Sequence, residues 1–266
     1  MRSMLFVPGD RPERFERARA SGAEAVIVDL EDAVAPEAKL HARGLLAGWL
    51  ASRSGVLVRV NAVNTADFRK DMLVASLPGV DGVVVAKAES PEEIAVVADA
   101  ISGRPVYPLI ESALGLHRAR EIGAVKGVEA LIFGSMDFQA DLGIRGDGPE
   151  LDPYRAQLVL ASRLAGLSPP IDGVTVAIEN DNGLRSAATW ARGMGFGGKL
   201  CIHPRQVAIV NEAFGPTMTE LNWATRVVAA DAASNGAATR IDGQMVDRAI
   251  VVRARNLLAQ KERGNA

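Results

Sequence analysis

The chain has 266 residues, 48% apolar and 23% charged, with a net charge of −2, a globular balance that offers no electrostatic footprint for nucleic acid. No apolar run approaches the ~18–20 residues that span a bilayer, and the short apolar start of "MRSMLFVPGDRP" is cut off by Pro8-Gly9 and charges, so it does not read as a signal peptide. Cys201 is the single cysteine, which excludes a disulfide framework and a cysteine-rich zinc site; the expectation is a cytoplasmic protein with no nucleic-acid or membrane partner.

Short β-branched runs alternate with amphipathic stretches. "SMLFVPG" (3–9) predicts a strand and "PERFERARAS" a helix. "AVIVDLE" (25–31) is a second strand that ends on acids, Asp29 and Glu31, with Asp32 next. "GVLVRVN" (55–61) carries Arg59 at its end, and "GVVVAK" (82–87) follows. The helix "SPEEIAVVADAIS" has a clear start: Ser90 as cap, Pro91 in the first turn, then Glu92-Glu93. "PVYPLIE" (105–111) ends on Glu111. "ALIFGSMD" (130–137) breaks at Gly134-Ser135 and delivers Asp137. After the helix "YRAQLVLASRLAG" come "GVTVAI" (173–178) and "KLCIHP" (199–204), in which Cys201 reads as an apolar strand residue. "GMGFGGKL" resembles a phosphate loop, but Leu200 stands where Ser or Thr is needed and the order is helix–loop–strand, so it predicts a helix end and a tight turn.

Eight such units, with near-continuous apolar strands, predict a closed parallel (β/α)8 TIM barrel over residues 1–215. Residues 216–266 form a helical extension, with "ATRIDGQ" as a polar turn between its two helices. In parallel barrels the strand C-termini share one mouth. A single acid there can merely cap the following helix; three strands ending in acids point to a site.

Neighbouring strands lie ~4.8 Å apart, so Glu111 and Asp137 can reach one point. Two carboxylates without a nearby His or Cys suit Mg²⁺, or alternatively work as a general acid–base pair without metal. Arg59 can grip a substrate carboxylate with its planar fork or organise the site by pairing with Asp29 or Glu31. His41 and His117 fall in helical stretches and are expected on the surface. His203, at the end of strand eight, is the one histidine facing the mouth.

"RSMLFVPGDRPERFERARASGAEAVIVDLEDAVAPEAKLHAR", "VRVN", "LIES", "FGSMDF" and "GFGGKLCIHPRQV" together resemble the citrate lyase β-subunit-like branch of the HpcH/HpaI aldolase superfamily, over the whole chain. The resemblance implies a Mg²⁺-dependent lyase, with one ion per subunit held by Glu111 and Asp137. It implies that Arg59 binds the substrate carboxyl and stabilises an enolate, with Asp29 and Glu31 positioning Arg59 and metal-bound water. Backbone N–H groups at Ser135 and Met136 would hold the keto-acid carboxylate. Phe6, Arg17, His203 and Pro204 match stretches that line a CoA thioester.

"IDGQMVDRAIVVRARNLL" resembles the family's lid, in which Asp247 acts as acid/base on a neighbouring subunit; the other reading is that Asp247 caps the last helix. The activity implied is cleavage of a malyl-CoA or citramalyl-CoA type thioester to acetyl-CoA and an α-keto acid of the oxaloacetate, pyruvate or glyoxylate type, or the reverse. Asp32 stands where pyruvate-class aldolases often carry His, which disfavours an aldehyde aldolase. A citryl-thioester lyase subunit with an acyl-carrier-protein partner and a non-catalytic paralogue remain as alternatives. A homotrimer or hexamer is expected, with Ile250, Val251, Leu257 and Leu258 of the tail buried against another surface.

Overall fold

The computed structural model describes residues 1–234, 237–241 and 243–264. In chain order the elements are β1 (Ser3–Pro8), α1 (Phe15–Arg19), β2 (Ala25–Asp29), α2 (Lys39–Leu50), β3 (Val56–Val60), α3 (Phe68–Ala75), β4 (Val80–Val85) and α4 (Pro91–Ala100). Then come β5 (Val106–Ile110), α5 (Ala113–His117), α6 (Ala119–Gly123), β6 (Ile132–Phe133), α7 (Ser135–Leu142), α8 (Asp152–Leu164), β7 (Ile171–Asp172), α9 (Asp181–Met194), β8 (Gly198–Cys201) and α10 (Pro204–Phe214). The eight strands close into a parallel barrel in sequence order, β1 pairing with both β2 and β8, so no sheet edge is left open. The TIM-barrel expectation holds.

Met4, Ile27, Leu57, Leu109, Ile132 and Leu200 belong to one buried apolar cluster. Side chains alternate along a strand, so residues two positions apart point the same way. Phe6, Asp29, Arg59 and Glu111 each lie two residues beyond a member of that cluster. The same period that fills the core therefore delivers these four side chains to the C-terminal mouth, where barrel enzymes keep their chemistry. Cys201 is buried on β8, and His41 and His117 are exposed.

Two strand boundaries differ from the sequence expectation. The seventh strand is Ile171–Asp172, not 173–178. Its register, Ile171 opposite Gly198 and Asp172 opposite Lys199, uses the two residues after Pro169-Pro170. The alternating "GVTVAI" instead leaves the sheet, with Val176 and Ile178 exposed. Strand six stops at Phe133, and Ser135–Leu142 is helical, so Asp137 sits in the first turn of α7 rather than at a strand tip.

The chain separates into two compact units, Met1–Asn211 and Glu212–Ala266. In the second, α11 (Met218–Ala233) starts at a capping box in which Thr217 and Glu220 exchange hydrogen bonds. An antiparallel hairpin, β9 (Thr239–Ile241) and β10 (Gln244–Val246), stands where a polar turn was expected. Asn235, Gly236 and Asp242 of these segments lie outside the described residues. The last helix, α12 (Arg248–Gly264), packs on α11 through Val251, Ala254 and Leu257 against Ala224 and Val227, with Ile250 and Leu258 at the margin. The apolar stripe expected to need another surface is thus covered within the chain's own unit.

Candidate active site

Asp29 closes β2, and its carboxylate has two tasks. Oδ1 accepts the Glu31 N–H at 2.9 Å and Oδ2 the Ala33 N–H at 3.0 Å, which fixes the turn after the strand. The same two oxygens take Nε and NH2 of Arg59 at 2.7 and 2.6 Å. Arg59 NH1 reaches Glu31 Oε2 at 3.1 Å, and the Phe6 ring lies beneath the guanidinium, 4.7 Å away. The structure shows the organising role of Arg59, its side-on fork on Asp29 and its pairing with Glu31, while Nη1 and Nη2 each keep a further N–H for another acceptor. Burial alone would lower the Arg59 pKa, but Asp29, Glu31 and Glu111 outweigh it and raise it.

Glu111 follows β5 and is 4% exposed. Its Oε1 accepts the Lys87 N–H at 2.6 Å. Burial, Glu31 and Asp137 push its carboxyl up to about 8, against the opposing pull of the Lys87 N–H and Arg59. The side chain lies flat on Gly134: a Cβ there would fall 2.5 Å from Glu111 Cβ and 2.6 Å from Oε2. Only glycine leaves that room.

Asp137 joins Glu111 from the first turn of α7. Helix N-termini carry unsatisfied N–H groups, here at Ser135 and Met136. The Ser135 hydroxyl is buried and has no hydrogen-bond partner. Glu31 Oε2 is a second buried oxygen without one, apart from its ion pair with Arg59.

Phe6, Asp29, Arg59, Glu111, Ser135, Met136 and Asp137 line one cavity of about 210 Å³, whose remaining wall is mostly apolar, including Leu109, Phe133, Val174 and Leu200. A second cavity of about 340 Å³ shares Glu111 and Asp137 and adds Lys87, Glu89, Asn64 and Asp141. The two carboxylates thus stand between an apolar and a polar space. Among the described residues no group of three His, Cys, Asp or Glu side chains converges on one point. A buried carboxylate, Glu111, and a half-buried one, Asp137, offer hard oxygen donors, which fits an ion that takes its remaining ligands from water and substrate.

The structure does not bring every expected residue to this point. Arg17 is exposed on α1. His203 accepts the Arg205 N–H on Nδ1 at 3.2 Å and so caps the start of α10, where Pro204 is the first residue. None of these three lines either cavity. Asp247 belongs to the second unit, where its Oδ1 accepts the Ile250 N–H at 3.0 Å and caps α12.

Other polar residues emerge only from the structure. Lys39 spends all three N–H donors on Leu30 O, Glu31 O and Asn61 Oδ1, tying the end of β2 to the end of β3. Asp172 is held by Lys199 at 2.8 Å and Arg155 at 3.0 Å inside the protein. Lys87 was read only as the end of a strand. Its signal was available, since it ends its apolar run where other strands place acids.

The sequence model of the family described as HpcH/HpaI aldolase/citrate lyase matches residues 2–204. A (3S)-malyl-CoA thioesterase of Cereibacter sphaeroides is 36% identical over 98% of this chain and 94% of its own length. A citrate lyase subunit beta-like protein of Deinococcus radiodurans is 38% identical over 98% and 97%. Among solved structures, the protein CitE from Mycobacterium tuberculosis in complex with magnesium, acetoacetate and coenzyme A superposes with a TM-score of 0.87, at 33% identity over 97% of each chain.

Proposed function

The chain belongs to the HpcH/HpaI aldolase/citrate lyase family, and from that premise we propose that it is a Mg²⁺-dependent carbon–carbon lyase. Its substrate on this reading is a 3-hydroxyacyl-CoA thioester of malyl-CoA or citramalyl-CoA type, cleaved to acetyl-CoA and an α-keto acid, or formed from them. The observation that carries the reading is the meeting of Glu111, Asp137 and Arg59 in one cavity. Solved relatives from M. tuberculosis that hold magnesium with acetoacetate and coenzyme A, or with oxaloacetate, support it.

Glu111 and Asp137 would hold one Mg²⁺, which supplies Lewis-acid stabilisation of developing oxygen charge. The N–H groups of Ser135 and Met136 orient the keto-acid carboxylate. In cleavage the carbinol hydroxyl gives up its proton to a water in the mouth acting as base, the bond between the α and β carbons breaks, and its electron pair moves to the thioester carbonyl. Arg59, locked by Asp29, meets that enolate oxygen as a preorganised positive charge. Asp247, from a neighbouring protomer of a homo-oligomer, delivers a proton to the enolate carbon. The CoA carrier runs past Phe6 and the His203-Pro204 turn, with Arg17 toward its phosphates.

Purified protein is to be tested with malyl-, citramalyl- and 3-hydroxy-3-methylglutaryl-CoA in Mg²⁺, reading keto-acid and free-thiol release separately. Keto acid without free thiol supports the lyase. Free thiol without keto acid would replace it by thioester hydrolysis, the activity in the name of the C. sphaeroides relative. Neither product from any substrate would favour the non-catalytic alternative.

A further inference from the structure

Lys87 is one of two non-glycine residues with positive φ among the described residues, at +51°. The other, Ser102, is an exposed turn residue. A left-handed lysine is unfavourable and persists only where its surroundings over-determine it. Here they do. The Ala86 N–H bonds Val60 O at 3.4 Å and the Ala88 N–H bonds Leu109 O at 3.1 Å. The chain is therefore pinned to β3 on one side of Lys87 and to β5 on the other. Caught between, the Lys87 N–H turns away from both strands and donates to Glu111 Oε1 at 2.6 Å.

The side chain leads to a different carboxylate. Lys87 Nζ lies 3.2 Å from Glu31 Oε1, while Glu31 Oε2 faces Arg59 NH1. Glu31 is thus a bridge between two cations, and one residue touches both arms of the acidic cluster. Its main chain sets Glu111, and its ammonium sets Glu31 and, through it, Arg59.

We propose that Lys87 is the positioning residue of this site, its left-handed main chain aiming Glu111 and its ammonium holding Glu31 against Arg59. The inference rests on the metal reading above and adds a residue to it. The two roles are separable. Alanine at 87 keeps a Cβ and so leaves the backbone cost unchanged while removing the ammonium. Valine removes the ammonium and is also β-branched, the side-chain class least tolerant of positive φ. Arginine keeps the charge.

The test measures Mg²⁺ affinity by calorimetry in the absence of substrate, alongside kcat and KM, for wild type, Lys87→Ala, Lys87→Arg and Lys87→Val. Losing a group that orients a metal ligand typically costs about tenfold or more in affinity or activity. Lys87→Ala should keep Mg²⁺ affinity within about threefold of wild type and lose about tenfold in kcat, with partial return in Lys87→Arg. Lys87→Val should weaken Mg²⁺ binding about tenfold beyond Lys87→Ala. Equal Mg²⁺ affinity in the alanine and valine variants would overturn the main-chain role; wild-type kcat in Lys87→Ala would overturn the ammonium's. If valine blocks folding, Lys87→Gly decides: it relaxes the strain, and an affinity as poor as that of a Glu111→Gln control would overturn the proposal. Absence of Mg²⁺ binding by wild type would instead sink the metal reading itself, a result distinct from any of these.

Discussion

Asp29 and Arg59 form a two-point ion pair, with contacts of 2.7 and 2.6 Å between groups that are 1% and 9% exposed. Planarity is what this pair requires. Arg59→Lys keeps the charge but offers an ammonium in place of a fork. Turnover should fall about 10²-fold, as for loss of one preorganised donor, with the far-ultraviolet circular dichroism unchanged. Arg59→Ala should also cost about 3–5 kcal/mol in chemical denaturation, because Asp29 is left buried and unpaired. Near-normal turnover of Arg59→Lys would reduce Arg59 to a structural role.

Asp247 has an observed task, capping α12, and a proposed one, donating a proton. Asn caps a helix about as well as Asp but is not an acid, whereas Ala does neither. Asp247→Asn should keep wild-type stability and lose lyase turnover. Asp247→Ala should lose turnover and about 1 kcal/mol of stability. Mixed Asp247→Ala and Glu111→Ala protomers should regain partial activity once subunits exchange; no regain after verified exchange would remove Asp247 from a neighbour's chemistry.

Asp172 gives a pH dependence away from the mouth. Burial would raise its pKa, but Lys199 and Arg155 outweigh that and hold it below the usual carboxylate value. The depressed folded value means that its contribution is present above the unfolded pKa, about 3.9, and is lost as pH falls through the folded one. Asp172→Asn leaves the buried Lys199 ammonium without its counter-charge, while Arg155 keeps Asp152 at 3.5 Å and Asp147 at 3.9 Å; breaking such a buried pair typically costs about 3–5 kcal/mol near neutral pH. Urea denaturation from pH 7 downward should show the gap from wild type narrowing only below about pH 4.

Cys201 is fully buried on β8, and burial pushes its thiol up to about 12. Thiolate is the reactive form, so native protein at pH 8 should resist a thiol reagent for hours and react with one equivalent when unfolded. Fast labelling of native protein would show that the barrel wall opens at β8.

Charged residues at the ends of near-continuous apolar runs make most of this mouth legible in the sequence. Asp29, Arg59 and Glu111 each close such a run, and the structure shows them continuing the inward face of Ile27, Leu57 and Leu109. The seventh strand escapes that logic because "GVTVAI" reads as a strand just as well as the two residues that form it. Which residues pair is decided by register against Gly198 and Lys199, a partner far away in sequence. Asp137 was placed near Glu111 but on the wrong element, since two helix-starting residues after a strand look like its continuation. Lys87 shows in the sequence as a charged end to an apolar run, but its conformation does not. Its backbone is imposed by hydrogen bonds from its neighbours to two other strands, and no local residue preference encodes a left-handed lysine.

The bed that Gly134 makes for Glu111 changes how copies of this protein should be compared. Any side chain at 134 would evict Glu111 while leaving every acidic and basic residue of the sequence unchanged. A gene duplicate could therefore fall silent through a change at a residue with no functional group, and still look intact to anyone counting carboxylates. When natural variants are sorted into working and decayed, the identity of position 134 is worth reading before Glu111 or Asp137.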